Sequence, residues 1–181
     1  NAGAAAAEAW KQGVARDEIA RAMESSHGGG RRFELVGRVD GVTIADDYGH
    51  HPAELTATLK AAMNLGYRQV WAVFQPFTFS RTYLLLDDFV KALSLADHVV
   101  LSSIMGSREV NTYNIHSSDL GEKIPGCAWR DTFEEVAEYV MSRVQPGDLV
   151  LTMGCGDIYK CARMMLHMGR LKDQEQAEVV R

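Results

Sequence analysis

Apolar positions change their period along this chain. From Asn1 to Gly13 the alanines and Trp10 predict a helix stopped by Gly13, and Asp17 N-caps a second one to about Ser25, with Ile19, Ala22 and Met23 on one face. Ser25-Ser26-His27-Gly28-Gly29-Gly30 then has the composition of a linker. Beyond it Phe33 to Val39 predicts a strand, Asp40-Gly41 a hairpin turn, and Val42 to Ala45 the return strand, ending on Asp46-Asp47. Helical and strand patterns alternate from there. Helices are expected from Pro52 to Asn64, from Ser80 to Leu95, from Ser117 to Lys123, from an Asp131 or Thr132 cap to about Arg143, and from Asp157 to Met168. Strands are expected from Gln69 to Gln75, Asp97 to Ser102, Cys127 to Arg130 and Asp148 to Thr152. Arg170 to Arg181 is polar and is expected to be frayed helix.

This alternation predicts an α/β fold: a Rossmann-like, mostly parallel sheet with helices on both faces, preceded by a β-hairpin and an N-terminal helical segment. The expected division is 1–27 as the end of a preceding domain, 28–170 as the α/β domain and 171–181 as a polar tail. Sheets of this kind bind ligands beyond the carboxyl ends of their strands, which directs attention to the loops after Ala45, Gln75, Ser102 and Thr152.

Composition narrows the classes. The 181 residues are 46% hydrophobic, enough to bury a core and exclude wholesale disorder. A net charge of −5 without a Lys/Arg block argues against a general nucleic-acid or membrane-surface binder. No apolar run approaches the length of a membrane span. Cys127, Cys155 and Cys161 have no CxxC spacing, so reduced thiols in a cytoplasmic protein are expected, rather than a disulfide framework or zinc site. The chain opens on Asn1 without a basic n-region, which reads as a piece of something longer and not as a secretory signal.

Polar groups converge most densely in Asp46-Asp47-Tyr48-Gly49-His50-His51-Pro52. A carboxylate there suits sugar hydroxyls or a cation and a histidine suits proton or anion work; the alternative is a turn-forming aspartate with His51 starting the helix. Arg81 falls in the first turn of a helix, against the dipole, which suggests an anionic partner; the alternative is a surface pair with Asp87 or Asp88. Of Arg31-Arg32, one guanidinium can reach a phosphate, or both can lie on a mobile segment. Gly154-Cys155-Gly156-Asp157 suits close approach of backbone amides to a ligand, or equally a tight turn capped by Asp157. GxxxxGK[ST] is missing, so another domain would have to supply the main phosphate loop for ATP.

Gly30-Arg31-Arg32-Phe33, the DDYGHHP segment, Phe74-Gln75-Pro76 with Ser80-Arg81-Thr82, and Gly154 to Lys160 together resemble the C-terminal domain of the bacterial Mur ligases, in family order and spacing. Asn1-Ala2 with Ala4-Ala5 resembles the end of a motif in the family's central ATPase domain, which makes 1–27 the last helices of that domain. The resemblance implies a three-domain enzyme of peptidoglycan precursor synthesis. ATP, with Mg2+ held by the central domain, phosphorylates the lactyl carboxylate of UDP-N-acetylmuramate, and the amine of L-alanine attacks the acyl phosphate to give an amide. By position it implies Arg32 on ATP phosphate, Asp47 on the ribose hydroxyls and Asn1 near the adenine. It also implies Tyr48, His50 and Arg81 in the amino-acid pocket, with Arg81 facing the alanine carboxylate. No metal ligand is implied on this chain, and the fragment alone is expected to be inactive. The family usually has His where Phe77 stands, and often Arg where Thr78 stands. A murein-peptide ligase, and a stand-alone nucleotide-binding or regulatory module, are the alternatives.

Overall fold

The structure, a computed structural model, describes residues 31–179, with side chains as far as Leu171. The two helices and the glycine linker expected before Arg31, the role expected of Asn1 and the 1–27 boundary lie outside the described residues.

Strands β1 (Glu34–Val39) and β2 (Val42–Asp47) form the expected hairpin. Asp40 and Gly41 both take positive φ, 50° and 72°, the handedness a two-residue turn needs to follow strand twist. Then follow α1 (Pro52–Met63), β3 (Val70–Phe74), α2 (Phe79–Leu84), α3 (Leu86–Leu93), β4 (His98–Leu101), α4 (Ser117–Gly121), β5 (Ala128–Trp129), α5 (Phe133–Met141), β6 (Leu149–Met153) and α6 (Tyr159–Val179). The sheet order is β1-β2-β6-β3-β4-β5, antiparallel at β1–β2 and parallel elsewhere. The last strand therefore inserts between β2 and β3, and pairs Asp47 and Phe74 with Met153 across three strand ends.

Strand alternation divides the core in two. Ala72, Phe74, Leu149, Leu151 and Met153 face Leu55 and Leu59 of α1 and Phe89 and Leu93 of α3. Ile44, Trp71, Val73 and Val150 face Val136 and Val140 of α5, Ile158 just before α6, and Ala162 and Met165 of α6. Both faces of the sheet are covered, as its near-continuous apolar strands require.

Three elements differ from the sequence pattern. The helix expected from Ser80 to Leu95 is two helices, with Leu85 at φ −111°, ψ 21° between them. Only α3 carries the apolar face that packs on the sheet; α2 leaves Tyr83 and Leu84 exposed and turns Arg81 towards the strand ends. Asp46 and Asp47 belong to β2 and are buried. The final helix continues past Met168 to Val179, through the segment expected to fray.

Candidate functional site

Residues 31–33 govern the first half of the site. Arg31 and Phe33 take positive φ, 66° and 49°, so consecutive side chains turn in different directions. Phe33 is buried in the core. Arg31 turns into the sheet end: Nε donates to Asp46 Oδ2 at 2.7 Å, Nη2 to the Gly154 carbonyl at 2.7 Å and Nη1 to the Gly156 carbonyl at 2.9 Å. Its guanidinium lies 4.8 Å from the Tyr159 ring centroid and 5.3 Å from that of Tyr48. Thr152 Oγ1 donates to the other oxygen of Asp46 at 2.6 Å. Arg31 and Asp46 are thus a clamp that joins β2 to the β6–α6 turn. Arg32 is exposed and makes no ion pair among the described residues.

Arg32 lines a cavity of about 210 Å³ with Asp47, Tyr48, Gly49, Glu54, Ala57 and Thr58. Asp47 is its fixed floor. Oδ2 accepts from the Phe33 amide at 2.8 Å; Oδ1 accepts from the Gly49 amide at 2.8 Å and Thr58 Oγ1 at 3.3 Å. Burial pushes the Asp47 carboxyl above its ordinary 3.8, against the lowering effect of those three hydrogen bonds. Gly49 is required at this point, because a Cβ there would lie 2.6 Å from Asp47 Oδ1.

Pro52 opens α1, and His51 is its N-cap. Glu54 completes a capping box, its Oε2 accepting from the His51 amide at 3.1 Å and from the His50 amide at 2.9 Å. The same oxygen is 3.5 Å from His50 Nδ1. Burial alone would raise the Glu54 carboxyl; the two amides and the two imidazoles together hold it below its ordinary 4.5. His51 is therefore occupied at the helix start, while His50 faces the strand ends.

A row of rings joins the two halves of the site. Tyr48 meets His50 edge-on at 5.7 Å, His50 meets Phe77 at 6.4 Å, and the Arg81 guanidinium lies 5.9 Å from the Phe77 centroid. Asp87 and Asp88 do not pair with Arg81; they contact Lys123 at 3.7 Å and Lys91 at 3.5 Å. Arg81 Nη1 is buried and has no hydrogen-bond partner among the described residues. A buried guanidinium nitrogen in that condition is costly unless a ligand supplies an acceptor.

At the Gly154-Cys155-Gly156 turn, the Gly154 amide donates to the Asp47 carbonyl at 3.1 Å. The two glycine carbonyls accept from Arg31, and the Asp157 amide donates to Gln75 Oε1 at 3.0 Å. Gly154, at φ 141°, passes so close to β3 that a Cβ would lie 2.9 Å from the Gln75 carbonyl. The Cys155 thiol is raised by burial, partly offset by the charges of Arg81 and Arg31. All three cysteines are free, and burial pushes Cys127 and Cys161 up to about 12, which holds those two as thiols.

The structure thus brings Arg32, Asp47, Tyr48, His50 and Arg81 to one end of the sheet. Sequence reasoning missed Arg31 as the clamp, Gln75 as the cap of the Gly-x-Gly turn, and Glu54, whose three-residue spacing from His51 was a legible capping signal. Among the described residues no three His, Cys, Asp or Glu side chains converge on a metal position, and no helix is long and apolar enough to cross a membrane.

A family profile described as "Mur ligase, glutamate ligase domain" matches residues 31–156. The UDP-N-acetylmuramate–L-alanine ligase of Caldicellulosiruptor saccharolyticus is 41% identical over 176 residues, covering 95% of this chain and 39% of that protein. The Lachnospira eligens protein of the same name is 45% identical over 170 residues, covering 92% of this chain and 37% of that one. The chain therefore spans under two-fifths of the length of these relatives. Among solved structures, the UDP-N-acetylmuramate–alanine ligase of Thermotoga maritima superposes with a TM-score of 0.66 at 21% identity, over 92% of this chain and 36% of that one. A murein peptide ligase from Psychrobacter arcticus gives 0.62 at 23%, over 82% and 32%. At these identities the structural likeness speaks for the fold.

Proposed function

The chain belongs to the Mur ligase family, within that family's glutamate ligase domain, and on that premise we propose that it is the C-terminal part of an ATP-dependent ligase joining L-alanine to UDP-N-acetylmuramate in the cytoplasm. The observation that carries the reading is Arg81: a guanidinium with one buried nitrogen that has no partner among the described residues, set over Phe77, whose ring His50 meets, suits the α-carboxylate of a small amino acid. A side chain of alanine size meets the apolar ring of Phe77. His50, ordered by Glu54, stands beside the pocket where the amine would lie.

The neighbouring cavity fits a nucleotide. Asp47, fixed by three hydrogen bonds, offers acceptor capacity to a pair of ribose hydroxyls, and Arg32 offers an uncommitted cation to phosphate. ATP supplies the phosphoryl group that activates the muramyl carboxylate; these residues orient it and add positive charge near its phosphates. On this reading Mg2+ and the main phosphate loop belong to the central domain, and Asn1 of this chain, at the end of that domain, lies near the adenine. On this reading residues 1–27 close the preceding domain and 171–181 form a polar tail.

The test is steady-state ADP release. The full-length ligase should release ADP only with both L-alanine and UDP-N-acetylmuramate present, and the 181-residue chain alone should not. Dependence on a peptide instead of L-alanine would assign the murein-peptide reaction. Tight binding of NAD by the chain in calorimetry would favour a stand-alone nucleotide module.

A further inference from the structure

Helix α2 lacks a cap of its own. Thr78 at its N-cap position makes no side-chain hydrogen bond and holds φ 66°, ψ 141°, unfavourable for a β-branched residue. The first turn also carries no acidic residue. Arg81, in that turn, needs a settled backbone if its guanidinium is to stay aimed.

The missing support comes from the loop after β4. Met105 pairs with the approach to α2: its amide donates to the Pro76 carbonyl and its carbonyl accepts from the Thr78 amide, both at 2.9 Å. Gly106 lies so close to the Phe79 ring that a Cβ would collide with it. Tyr113 packs on Tyr83 with ring centroids 4.9 Å apart. Between these contacts Glu109 accepts from the Ser80 amide through Oε2 at 2.8 Å and from Ser80 Oγ through Oε1 at 2.5 Å. Its amide donates to the Gly106 carbonyl at 3.0 Å, which fixes the loop's own turn. Both carboxylate oxygens are thus engaged by the residue next to Arg81, and no ion pair forms between Glu109 and Arg81.

We propose that Glu109 is a positioning residue of the amino-acid site: it caps α2 from a distant loop, holds Arg81 on its aim, and is kept by Ser80 from neutralising the guanidinium itself. This rests on the ligase reading above. The two Ser80 hydrogen bonds, with smaller contributions from the Phe79 amide and the charge of Arg81, also hold the Glu109 carboxyl below its ordinary 4.5, so it caps as a carboxylate.

The test uses the full-length ligase with Glu109→Ala, Glu109→Gln and Ser80→Ala. Loss of aim should raise KM for L-alanine by on the order of 10- to 100-fold in Glu109→Ala, with KM for ATP changed less than about twofold. Glu109→Gln, which retains one acceptor oxygen, should recover part of that loss. Ser80→Ala should raise the same KM, because it releases a carboxylate oxygen to compete for Arg81. Equal rises in both KM values, or an unchanged KM for L-alanine in a folded Glu109→Ala protein, would overturn the proposal. A wild type without L-alanine-dependent ADP release would overturn the ligase reading instead. Amide exchange at Ser80 then decides the anchor: at least about tenfold faster exchange in Glu109→Ala sustains it, and unchanged protection removes it.

Discussion

Adjacent residues of one type do different work in this site, and their surroundings decide which does what. Asp46 is spent on Arg31 and Thr152, while Asp47 floors a cavity; Arg31 is a clamp, while Arg32 lines that cavity. Asp47→Asn keeps one acceptor oxygen but loses the charge and should cost about 2–5 kcal/mol of transition-state stabilisation in the full-length ligase, read from kcat/KM for ATP. Because burial raises the Asp47 carboxyl above 3.8, its acceptor form is lost earlier on acidification than that of an exposed aspartate. Nucleotide affinity, followed by titration, should therefore begin to fall at a higher pH in wild type than an ordinary carboxylate would allow, and this phase should vanish in Asp47→Asn. Phe77→Ala removes the ring beneath Arg81 and beside His50; KM for L-alanine should rise about fivefold, matching a cation–π contact of roughly 1 kcal/mol. The polar cluster at 46–52 was visible from its density, but which of each pair was structural was not. Arg31 and its glycine carbonyls lie more than 120 residues apart along the chain, with separations of 123 and 125.

Among the elements, α1 was the most legible: Pro52 at its start, His51 before it and Glu54 in its first turn are a local code. Glu54→Ala should destabilise the chain by about 1 kcal/mol, the worth of a cap. Glu54 is held below its ordinary 4.5, so its stabilisation is complete above that value and is lost as pH falls through the lower folded value. The gap in thermal midpoint between wild type and Glu54→Gln should accordingly be widest near neutral pH and narrow as pH falls below the ordinary 4.5. The break between α2 and α3 was not legible, since YLLLDDF has no glycine or proline and suits unbroken helix; the straps on α2 come from another loop. At the opposite end of the sheet, fully buried Asp148 joins β6 to β3: Oδ2 accepts from Arg68 Nη2 at 2.8 Å, Trp71 Nε1 at 3.2 Å and the Gln145 amide at 3.0 Å. Arg68 Nε is 2.8 Å from Oδ1, an ion-pair contact without hydrogen-bond alignment. Asp148→Ala should cost about 3 kcal/mol or more in denaturant unfolding, because it leaves a buried indole donor and an amide without an acceptor.

At the scale of the whole molecule, inserting β6 between β2 and β3 sets the spatial logic. The strand latest in sequence lies beside both β2 and β3, so the loops after all three meet at one end. Leu151 sits at the middle of that strand, fully buried beside Ala45 and Ala72; Leu151→Ala should lower unfolding free energy by about 2–5 kcal/mol with an unchanged denaturant slope. The amino-acid sequence by itself determined the α/β class, the hairpin, nearly every strand and helix, and the residues rich enough in chemistry to form a site, because periodicity, caps and turns are local properties of the chain. Strand order, the division of the two aspartates and two arginines between clamp and cavity, and the support of Arg81 by Glu109 were decided only by tertiary structure. Each depends on a contact between segments far apart in sequence, and spacing carries no trace of such a contact until the sheet brings its ends together.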